Sequence, residues 1–342
     1  MTPPAPAGQA AAASPALIVE LAVAYRRSMI LFAAADLGVF TALADGPLDS
    51  AAVAGQCGAQ LRGVEGLLNA CVAERLLERD GDRYRNTATA DTFLVRGRAG
   101  YMGDAFKYAE DLYPAWGQLA DFARTGVPPV KAEEMLGDDK ARTRHFVRAM
   151  HNRARGTARA LPHDVDLRGR RRLLDVGGGP GTYSMILCEK NPGLTSTVFD
   201  LPGVLEVTRE IVDEHGFADR VRLHPGSYLT DDFPGGNDVV LLSGMMHRET
   251  PDTCRMLLRK AFAALDPGGL VVVSDVFFND ERHDSPPFAA HFALNMMLTS
   301  PDGSAHAKTE MAAWMHEAGF HDVQVRDLPP PKVDTNLFGT RP

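Results

Sequence analysis

Residues 173–182 read LLDVGGGPGT, and this stretch decides the fold. Apolar residues lead to an acid, Asp175, and the chain then passes through glycines 177, 178, 179 and 181. Glycine lets the backbone turn sharply and lets a ligand lie against it, because no Cβ atom stands in the way. An apolar run that ends in such a loop before a helix is typical of the first strand and ligand loop of an open α/β sheet.

From Arg170 onward, short apolar strands alternate with helical segments. The predicted strands are RRLLDV, STVFD, VRLHPG, DVVLLS and LVVVSDV. This alternation predicts a parallel, doubly wound α/β sheet. Ligands of such sheets bind at the carboxyl ends of the strands.

The chemistry of the glycine loop indicates which ligand it holds. The dinucleotide fingerprint GxGxxG fails, because the sixth position from Gly177 is Thr182 and from Gly179 is Ser184. Asp175 before the loop would repel a pyrophosphate and attract an ammonium group. Asp200, at the end of the second strand, can accept hydrogen bonds from a ribose diol. A ribose, no phosphate and a cationic amino-acid end describe S-adenosylmethionine.

Composition excludes several classes of partner. The 342 residues carry a net charge of −8, which argues against nucleic-acid binding. None of the four cysteines forms a CxxC pair, so we expect reduced thiols and a cytoplasmic location. The start of the chain lacks a secretory signal pattern, and no apolar run reaches the ~20 residues that a membrane helix needs, so we expect no membrane partner.

The N-terminal part predicts a separate domain. We expect a disordered tail over 1–15, a winged-helix dimerisation domain over 16–100, a helical linker over 101–165 that lines the acceptor pocket, and a catalytic domain over 166–342. Residues 16–44 are apolar on nearly all sides of a helix, which requires burial, most simply against a second subunit. A helix–turn–helix with a hairpin turn at Asp80-Gly-Asp82 follows. Residues 49–91 hold five arginines against seven acids, so this winged helix is predicted to be structural.

Several stretches together resemble a known family. They are LLDVGGGPGTYS, VFDLPGVLE, HPGSYLTDDFP, DVVLLSGMMH, ALDPGGLVVVSDVFF and EAGF. They look like the small-molecule O-methyltransferases of the dimeric plant caffeate and bacterial natural-product type, over nearly the whole chain. The resemblance implies a class I methyltransferase fold, an N-terminal winged-helix dimerisation domain, a homodimer, and S-adenosylmethionine as methyl donor with S-adenosylhomocysteine as product.

The resemblance also implies a cofactor site. By it, the methionine end is held by Asp175, Gly177 and Gly179. The ribose is held by Asp200 with Leu201 beside it. The adenine lies by Gly226 and Ser227, and Ser243 flanks the sulfonium end.

By the same resemblance, His247 is the general base and Asp275 one of two flanking acids. A neutral imidazole can take a hydroxyl proton near pH 7, and an acid on its other nitrogen would fix the tautomer. The chain departs from the family's His-Asp-Trp at Arg248 and Glu249, and we include Glu249 among the candidate catalytic residues. The predicted pocket for the small-molecule acceptor consists of Met150, Met246, His291, Met296, His306 and Arg148.

Three further interpretations stay open. His247, His291 and His306 could hold a metal that chelates a 2-oxo acid for C-methylation, although their spacing is no known metal signature and a metal is not expected. A thioether or thiol acid could be S-methylated, with Arg148 holding its carboxylate. The chain could also be an S-adenosylmethionine-sensing regulator without catalysis.

Overall fold

The computed structural model describes residues 14–130, 139–329 and 333–342. Most of the predicted tail, residues 1–13, lies outside the described residues. The chain forms two compact units, one up to Lys107 and one from Tyr108. Within the described ranges, no helix is both long and apolar enough to cross a membrane.

The first unit contains the helix–turn–helix and hairpin that the sequence predicts. A three-stranded sheet with the order β1-β3-β2 accompanies helices α4 and α5. The elements are α1 (Ala16–Val23), α2 (Tyr25–Asp36), α3 (Val39–Ala42), β1 (Leu48–Asp49), α4 (Ser50–Cys57), α5 (Leu61–Ala73), β2 (Leu77–Asp80), β3 (Arg83–Asn86) and α6 (Ala88–Phe93).

Local chemistry fixes the ends of these helices. The Asp49 carboxylate accepts a hydrogen bond from the Ala52 amide at 2.8 Å and caps α4. Gly58, in the left-handed region with φ +62°, ends the same helix. The core between the helices and the hairpin contains the fully buried side chains of Phe40, Leu68 and Tyr84.

Helix α1 differs from the other helices of the first unit, because none of its residues is buried within the chain. The segment predicted as one apolar helix over 16–44 is divided among α1, α2 and α3, with Gly38 at φ +75° before α3. The side chains of four apolar residues of α1 are more than 60% exposed: Leu17, Ile18, Val19 and Leu21.

The second unit is built on a seven-stranded sheet. Its strand order is β11-β12-β8-β7-β4-β5-β6. The elements from the unit boundary on are α7 (Gly103–Trp116), α8 (Leu119–Thr125), α9 (Lys140–Asp164), β4 (Arg172–Val176), α10 (Thr182–Lys190), β5 (Thr195–Asp200), α11 (Pro202–Glu214), β6 (Val221–Pro225), β7 (Asn237–Ser243), a 3₁₀ turn (Met246–Arg248), α12 (Pro251–Ala264), β8 (Leu265–Asp275), β9 (Phe277–Phe278), α13 (Pro287–Met297), β10 (His306–Ala307), α14 (Lys308–Glu317), β11 (His321–Asp327) and β12 (Thr335–Thr340).

All five predicted strands are confirmed, as β4 to β8, and all pair in parallel. Strands β11 and β12 were not predicted from the sequence; β12 pairs antiparallel with both β11 and β8. The chain starts at β4, proceeds to β5 and β6 on one side, and returns to β7 on the other. The carboxyl ends of β4, β5 and β7 therefore flank a topological switch point, where ligands of open sheets bind.

Candidate active site

The glycine loop follows β4, and a hydrogen bond to the neighbouring strand β5 holds its first residue. The Gly177 amide donates to the Phe199 carbonyl at 2.8 Å, and Gly177 and Gly179 have φ of +61° and +51°. A Cβ on Gly177 would lie 3.4 Å from the Met245 sulfur, and one on Gly178 only 2.7 Å from the Asp175 Cγ. A Cβ on Gly179 would meet no atom within 4 Å. The loop thus faces free space at Gly179.

Asp175 does not have the position that we expected for it. Its carboxylate is buried beneath Gly178 and accepts a hydrogen bond from the Ser184 hydroxyl at 2.7 Å. Burial raises the pKa of this carboxyl to about 7. Gly178 and the Ser184 hydroxyl enclose the side chain, so Asp175 supports the loop and its carboxyl has almost no exposed surface for a cationic ligand.

Asp200 lies at the end of β5, and its carboxylate accepts two backbone amides. One carboxylate oxygen accepts from the Gly179 amide at 2.8 Å and the other from the Leu201 amide at 2.7 Å. Each oxygen keeps a second lone pair, which can accept a ribose hydroxyl. Burial raises the pKa of Asp200, while the two amides and the positive charge of Arg248 act in the opposite direction.

The loop after β6 contains the predicted adenine residues. Gly226 donates its amide to the Asp200 carbonyl, and a Cβ there would lie 2.5 Å from the Phe199 ring, so only glycine fits. The Ser227 amide donates to the Asp231 carboxylate at 2.8 Å. From α12, the Lys260 ammonium donates to the carbonyls of Tyr228, Leu229 and Asp231 at 2.9–3.1 Å.

Two buried hydroxyls stand at the carboxyl ends of β7 and β8. Ser243 and Ser274 are register neighbours, and their buried hydroxyls lie beside the Tyr183 phenol. Burial raises the pKa of the Tyr183 phenol, and hydrogen bonding to these two hydroxyls acts in the opposite direction. A serine hydroxyl can both donate and accept, so each keeps capacity for a further hydrogen bond and this end of the sheet is suited to a polar ligand. Together with Asp200 and the open face of Gly179, these hydroxyls fit S-adenosylmethionine.

His247 lies in the 3₁₀ turn that follows β7, and Asp275 at the end of β8 orients it. His247 Nδ1 lies 2.7 Å from Asp275 Oδ1, and the His247 amide donates to Oδ2 at 3.3 Å. Burial opposes the ionisation of Asp275, but the charge and hydrogen bond of His247 outweigh it and hold the pKa of Asp275 below its usual value. The carboxylate therefore accepts the Nδ1 proton.

The other ring nitrogen of His247 is available for chemistry. The side chain is 13% exposed, and Nε2 has no hydrogen-bond partner in the part of the chain that the structure describes. Phe292 of α13 packs edge-on against the imidazole with ring centroids 4.9 Å apart. With the proton on Nδ1, Nε2 carries a lone pair that can accept a proton.

Glu249 does not contact the His247 ring. Its carboxylate accepts a hydrogen bond from the Tyr228 hydroxyl at 2.7 Å, and the Tyr228 ring lies against Gly177. Its side chain therefore links the His247 turn to the loops that follow β4 and β6, and a direct catalytic role for Glu249 stays a prediction.

Arg148 also differs from its predicted role. It pairs with Glu214 at 2.6 Å and with Glu210 at 3.2 Å. Lys140 and Arg144, two turns and one turn earlier in α9, pair with Glu206 and Glu210 of α11. The basic face of α9 thus docks on acids spaced four residues apart, and Arg148 belongs to this helix contact rather than to an acceptor site.

The remaining predicted pocket residues fall into two groups. Met150 is half-buried on α9, His291 is exposed on α13, and Met296 is buried beside Phe292. Met246, the first residue of the 3₁₀ turn, is instead buried in the main core, and His306 is buried beside this turn. The ring Nε2 of His306 bonds to the carbonyls of Met246 and Glu249, so this nitrogen faces the backbone of the turn.

Metal binding finds no support in this geometry. No group of three or more His, Cys, Asp or Glu side chains within 14–130, 139–329 and 333–342 could hold an ion. The His306 nitrogen that would bind a metal is engaged by backbone carbonyls.

Sequence reasoning missed four residues of this site: Tyr183, Tyr228, Lys260 and Ser274. Tyr228 and Ser274 directly adjoin residues that were singled out, Ser227 and Asp275. Lys260 gave no local signal, since it lies in the middle of an amphipathic helix and reaches its partners only in the folded chain.

The chain is similar to proteins of one family throughout its length. The family model described as O-methyltransferase domain matches residues 118–321, and the O-methyltransferase dimerisation domain matches residues 19–96. The 3-hydroxy-5-methyl-1-naphthoate 3-O-methyltransferase of Streptomyces sahachiroi is 33% identical, over 96% of this chain and 95% of its own. The tetracenomycin polyketide synthesis 8-O-methyl transferase of Streptomyces glaucescens is 33% identical, over 96% and 97%.

Solved structures show the same relation. Human N-acetylserotonin methyltransferase in complex with S-adenosylmethionine has a TM-score of 0.86 at 28% identity, and the match covers 97% of this chain and 99% of that one.

The fold and the site define a class I, S-adenosylmethionine-dependent methyltransferase. The chain belongs to the O-methyltransferase family and carries its dimerisation domain. This finding excludes the regulator without catalysis that the sequence analysis left open.

Proposed function

We propose that this enzyme methylates a hydroxyl of a small aromatic molecule, with His247 as general base. The observation that carries the proposal is the His247–Asp275 pair: Nδ1 is held at 2.7 Å by a buried carboxylate, and Nε2 is left to face an acceptor. Bound S-adenosylmethionine supplies an electrophilic methyl group. The residues of the chain must then align the acceptor, exclude water and take up one proton.

The residues divide these tasks. Asp200, the glycine loop and the loop fixed by Lys260 would hold the nucleoside, and Ser243 and Ser274 would offer hydroxyls near its sulfonium end. Phe292 and Met296 give the acceptor side an apolar wall. Alignment of two reactants is worth roughly 7–11 kcal/mol. Proton removal by a placed base adds about 10²–10⁴-fold.

The acceptor class follows from two relatives. Both are named for O-methylation, one of a hydroxynaphthoate and one in tetracenomycin polyketide synthesis. We therefore expect a fused aromatic acceptor with a phenolic hydroxyl. One alternative has a specific basis: the N,N-dimethyltransferase OxyT of Streptomyces rimosus is also 33% identical, over 99% of this chain. A panel of hydroxynaphthoates, polyketide phenols and the corresponding amines would separate oxygen from nitrogen transfer.

His247→Ala tests the base. We expect turnover to fall about 10²-fold or more, while the affinity for S-adenosylhomocysteine stays within twofold, because the imidazole acts on the acceptor. His316→Ala is the matched control, since His316 is exposed on α14 and bonds to the Phe320 carbonyl. Unchanged turnover in His247→Ala would reject the base role.

We further infer a homodimer formed through the first unit. The family's dimerisation model covers residues 19–96, and α1 presents four exposed apolar side chains that the chain itself does not cover. The proposed dimerisation domain is residues 16–100. The helical segment 101–165 would line the acceptor pocket through Met150, and the catalytic domain would begin at 166.

The free state of the four cysteines is consistent with a reducing compartment. All four cysteines are free, and Cys71, Cys188 and Cys254 are buried. We therefore expect a cytoplasmic enzyme, and recovery of the protein with the soluble cytosolic fraction would support this location.

A further inference from the structure

The backbone carbonyls around His247 are held by a second histidine. His306 Nε2 lies 3.1 Å from the Met246 carbonyl and 3.1 Å from the Glu249 carbonyl. Two residues earlier, the Ser304 amide donates to the His247 carbonyl at 2.8 Å. The carbonyls of 246, 247 and 249 are thus bound by one short segment, residues 304–306. The Cys254 sulfur also lies 3.4 Å from Nε2. Because the two nearest partners of Nε2 are carbonyls, which can only accept, this nitrogen carries a hydrogen.

The surroundings of His306 keep this donor in place. The ring is 6% exposed and packs edge-on against Trp314, with centroids 5.0 Å apart. Burial lowers the pKa of His306, which keeps the ring neutral near pH 7. The Cys254 thiol reaches the same Met246 carbonyl at 3.4 Å, but a thiol is a weak donor.

His306 and Asp275 are connected through the short strand pair β9–β10. His306 starts β10, which pairs in parallel with β9, and its register partner is Phe277. Phe277 stands two residues after Asp275, the carboxylate that holds His247 Nδ1. The His247 ring is therefore held by Asp275 at the end of β8, and the carbonyls of its turn are held by His306 at the start of β10.

We propose that His306 is a positioning residue for His247: its Nε2–H binds the carbonyls of Met246 and Glu249 and so sets the direction in which His247 Nε2 meets the acceptor. This inference rests on the proposed function, because it assumes that His247 is the base. A small displacement of a catalytic group can lower the rate about 10²-fold, even when the cause is remote from the chemistry.

Two substitutions separate the hydrogen bond from packing. His306→Phe keeps a flat ring but removes the donor, and we expect kcat to fall roughly 10- to 100-fold. The KM for the acceptor and the affinity for S-adenosylhomocysteine should stay within about twofold. His306→Gln retains an N–H of similar reach and should restore most of the rate. His316→Phe, the same replacement at a histidine that is exposed on α14, is the matched control and should retain the wild-type rate.

A double-mutant cycle decides whether His306 acts through His247. In the His247→Ala background, His306→Phe should cost less than about threefold, because no base remains to be positioned. An equal loss in both backgrounds, or a Gln variant as slow as the Phe variant, would overturn the positioning role. If His247→Ala itself retained full activity, the proposed function would fail instead, so the two failures are distinguishable. Calorimetric binding of S-adenosylhomocysteine confirms that each variant is folded.

Discussion

At the scale of single residues, two carboxyl groups on neighbouring strands have different environments. Asp175 is enclosed under the glycine loop with one hydroxyl donor, whereas Asp200 accepts two backbone amides beside open space. The strand position of each acid was readable from the sequence. The direction of its side chain was not, because it depends on what packs beneath the loop, here Ser184 and Ser196. For this reason the geometry does not support the electrostatic argument from Asp175, whereas the cofactor it indicated agrees with the family of the chain.

The buried Asp175 predicts a pH dependence of stability. Its pKa is about 7 in the folded chain against 3.8 for the free side chain, so the folded state binds the proton more tightly. The contribution of Asp175 to stability should therefore be greatest below about pH 4, fall as the pH rises toward 7, and level off above it. The loss amounts to roughly 4 kcal/mol at most.

Asp175→Asn removes this titration and isolates it from the other groups. Urea unfolding of both proteins at pH 5 and pH 8 should show the variant gaining stability over the wild type as the pH rises. A difference between the two proteins that is the same at both pH values would contradict the buried, proton-binding carboxyl.

The pair His247 and Asp275 was predicted correctly as neighbours from family resemblance, and the geometry explains why. Asp275 ends β8 and His247 lies in the turn that follows β7; because β7 and β8 are adjacent and parallel, their carboxyl ends bring the two residues together. His306 was singled out only as a pocket or metal candidate. Its contact with the His247 turn depends on the two-residue strand β10, which pairs with β9 in a separate sheet and left no pattern in the sequence.

At the scale of elements, α12 stabilises a ligand loop that it follows in sequence by about thirty residues. Lys260 donates to three carbonyls of residues 228–231, directly after the predicted adenine residues. The strands were predictable because each is a compact apolar run. Contacts of this kind were not, because a lysine on a helix gives no indication of the backbone it will reach.

Lys260→Met tests this support. Loss of the ammonium leaves three carbonyls without their donor, so the loop should loosen and the affinity for S-adenosylhomocysteine should fall about tenfold. The kcat at saturating cofactor should stay near the wild-type value, since the acceptor side is untouched. Arg259→Met, at the exposed neighbouring position, is the control. Equal affinities in both variants would show that the loop holds its shape without Lys260.

At the scale of the whole molecule, the exposed apolar side chains of α1 are explained only if the first unit is part of an assembly. Leu17, Ile18, Val19 and Leu21 are 61–71% exposed in the single chain. Contiguous apolar surface of this kind marks an interaction site. The sequence predicted that the segment needs a partner surface; the structure adds that α1, rather than α2 or α3, is the part left uncovered.

We expect the protein to sediment as a dimer at micromolar concentration. Ile18→Glu combined with Leu21→Glu should shift it to the monomer without a change in helix content, because neither side chain contributes to the core of the chain. Glu20→Gln on the same helix is the control. A wild-type monomer, or a double variant that remains dimeric, would contradict the assignment of α1 to the interface.

The central claim is that His247 removes the proton of the acceptor hydroxyl. The most direct measurement is the rate of methyl transfer by wild type and His247→Ala across phenolic acceptors of decreasing pKa, at one pH and saturating cofactor. We predict a defect of about 10²-fold or more for an ordinary phenol with a pKa near ~10, and a defect that disappears for acceptors that are already ionised at the assay pH. A defect of the same size for neutral and ionised acceptors would contradict the account.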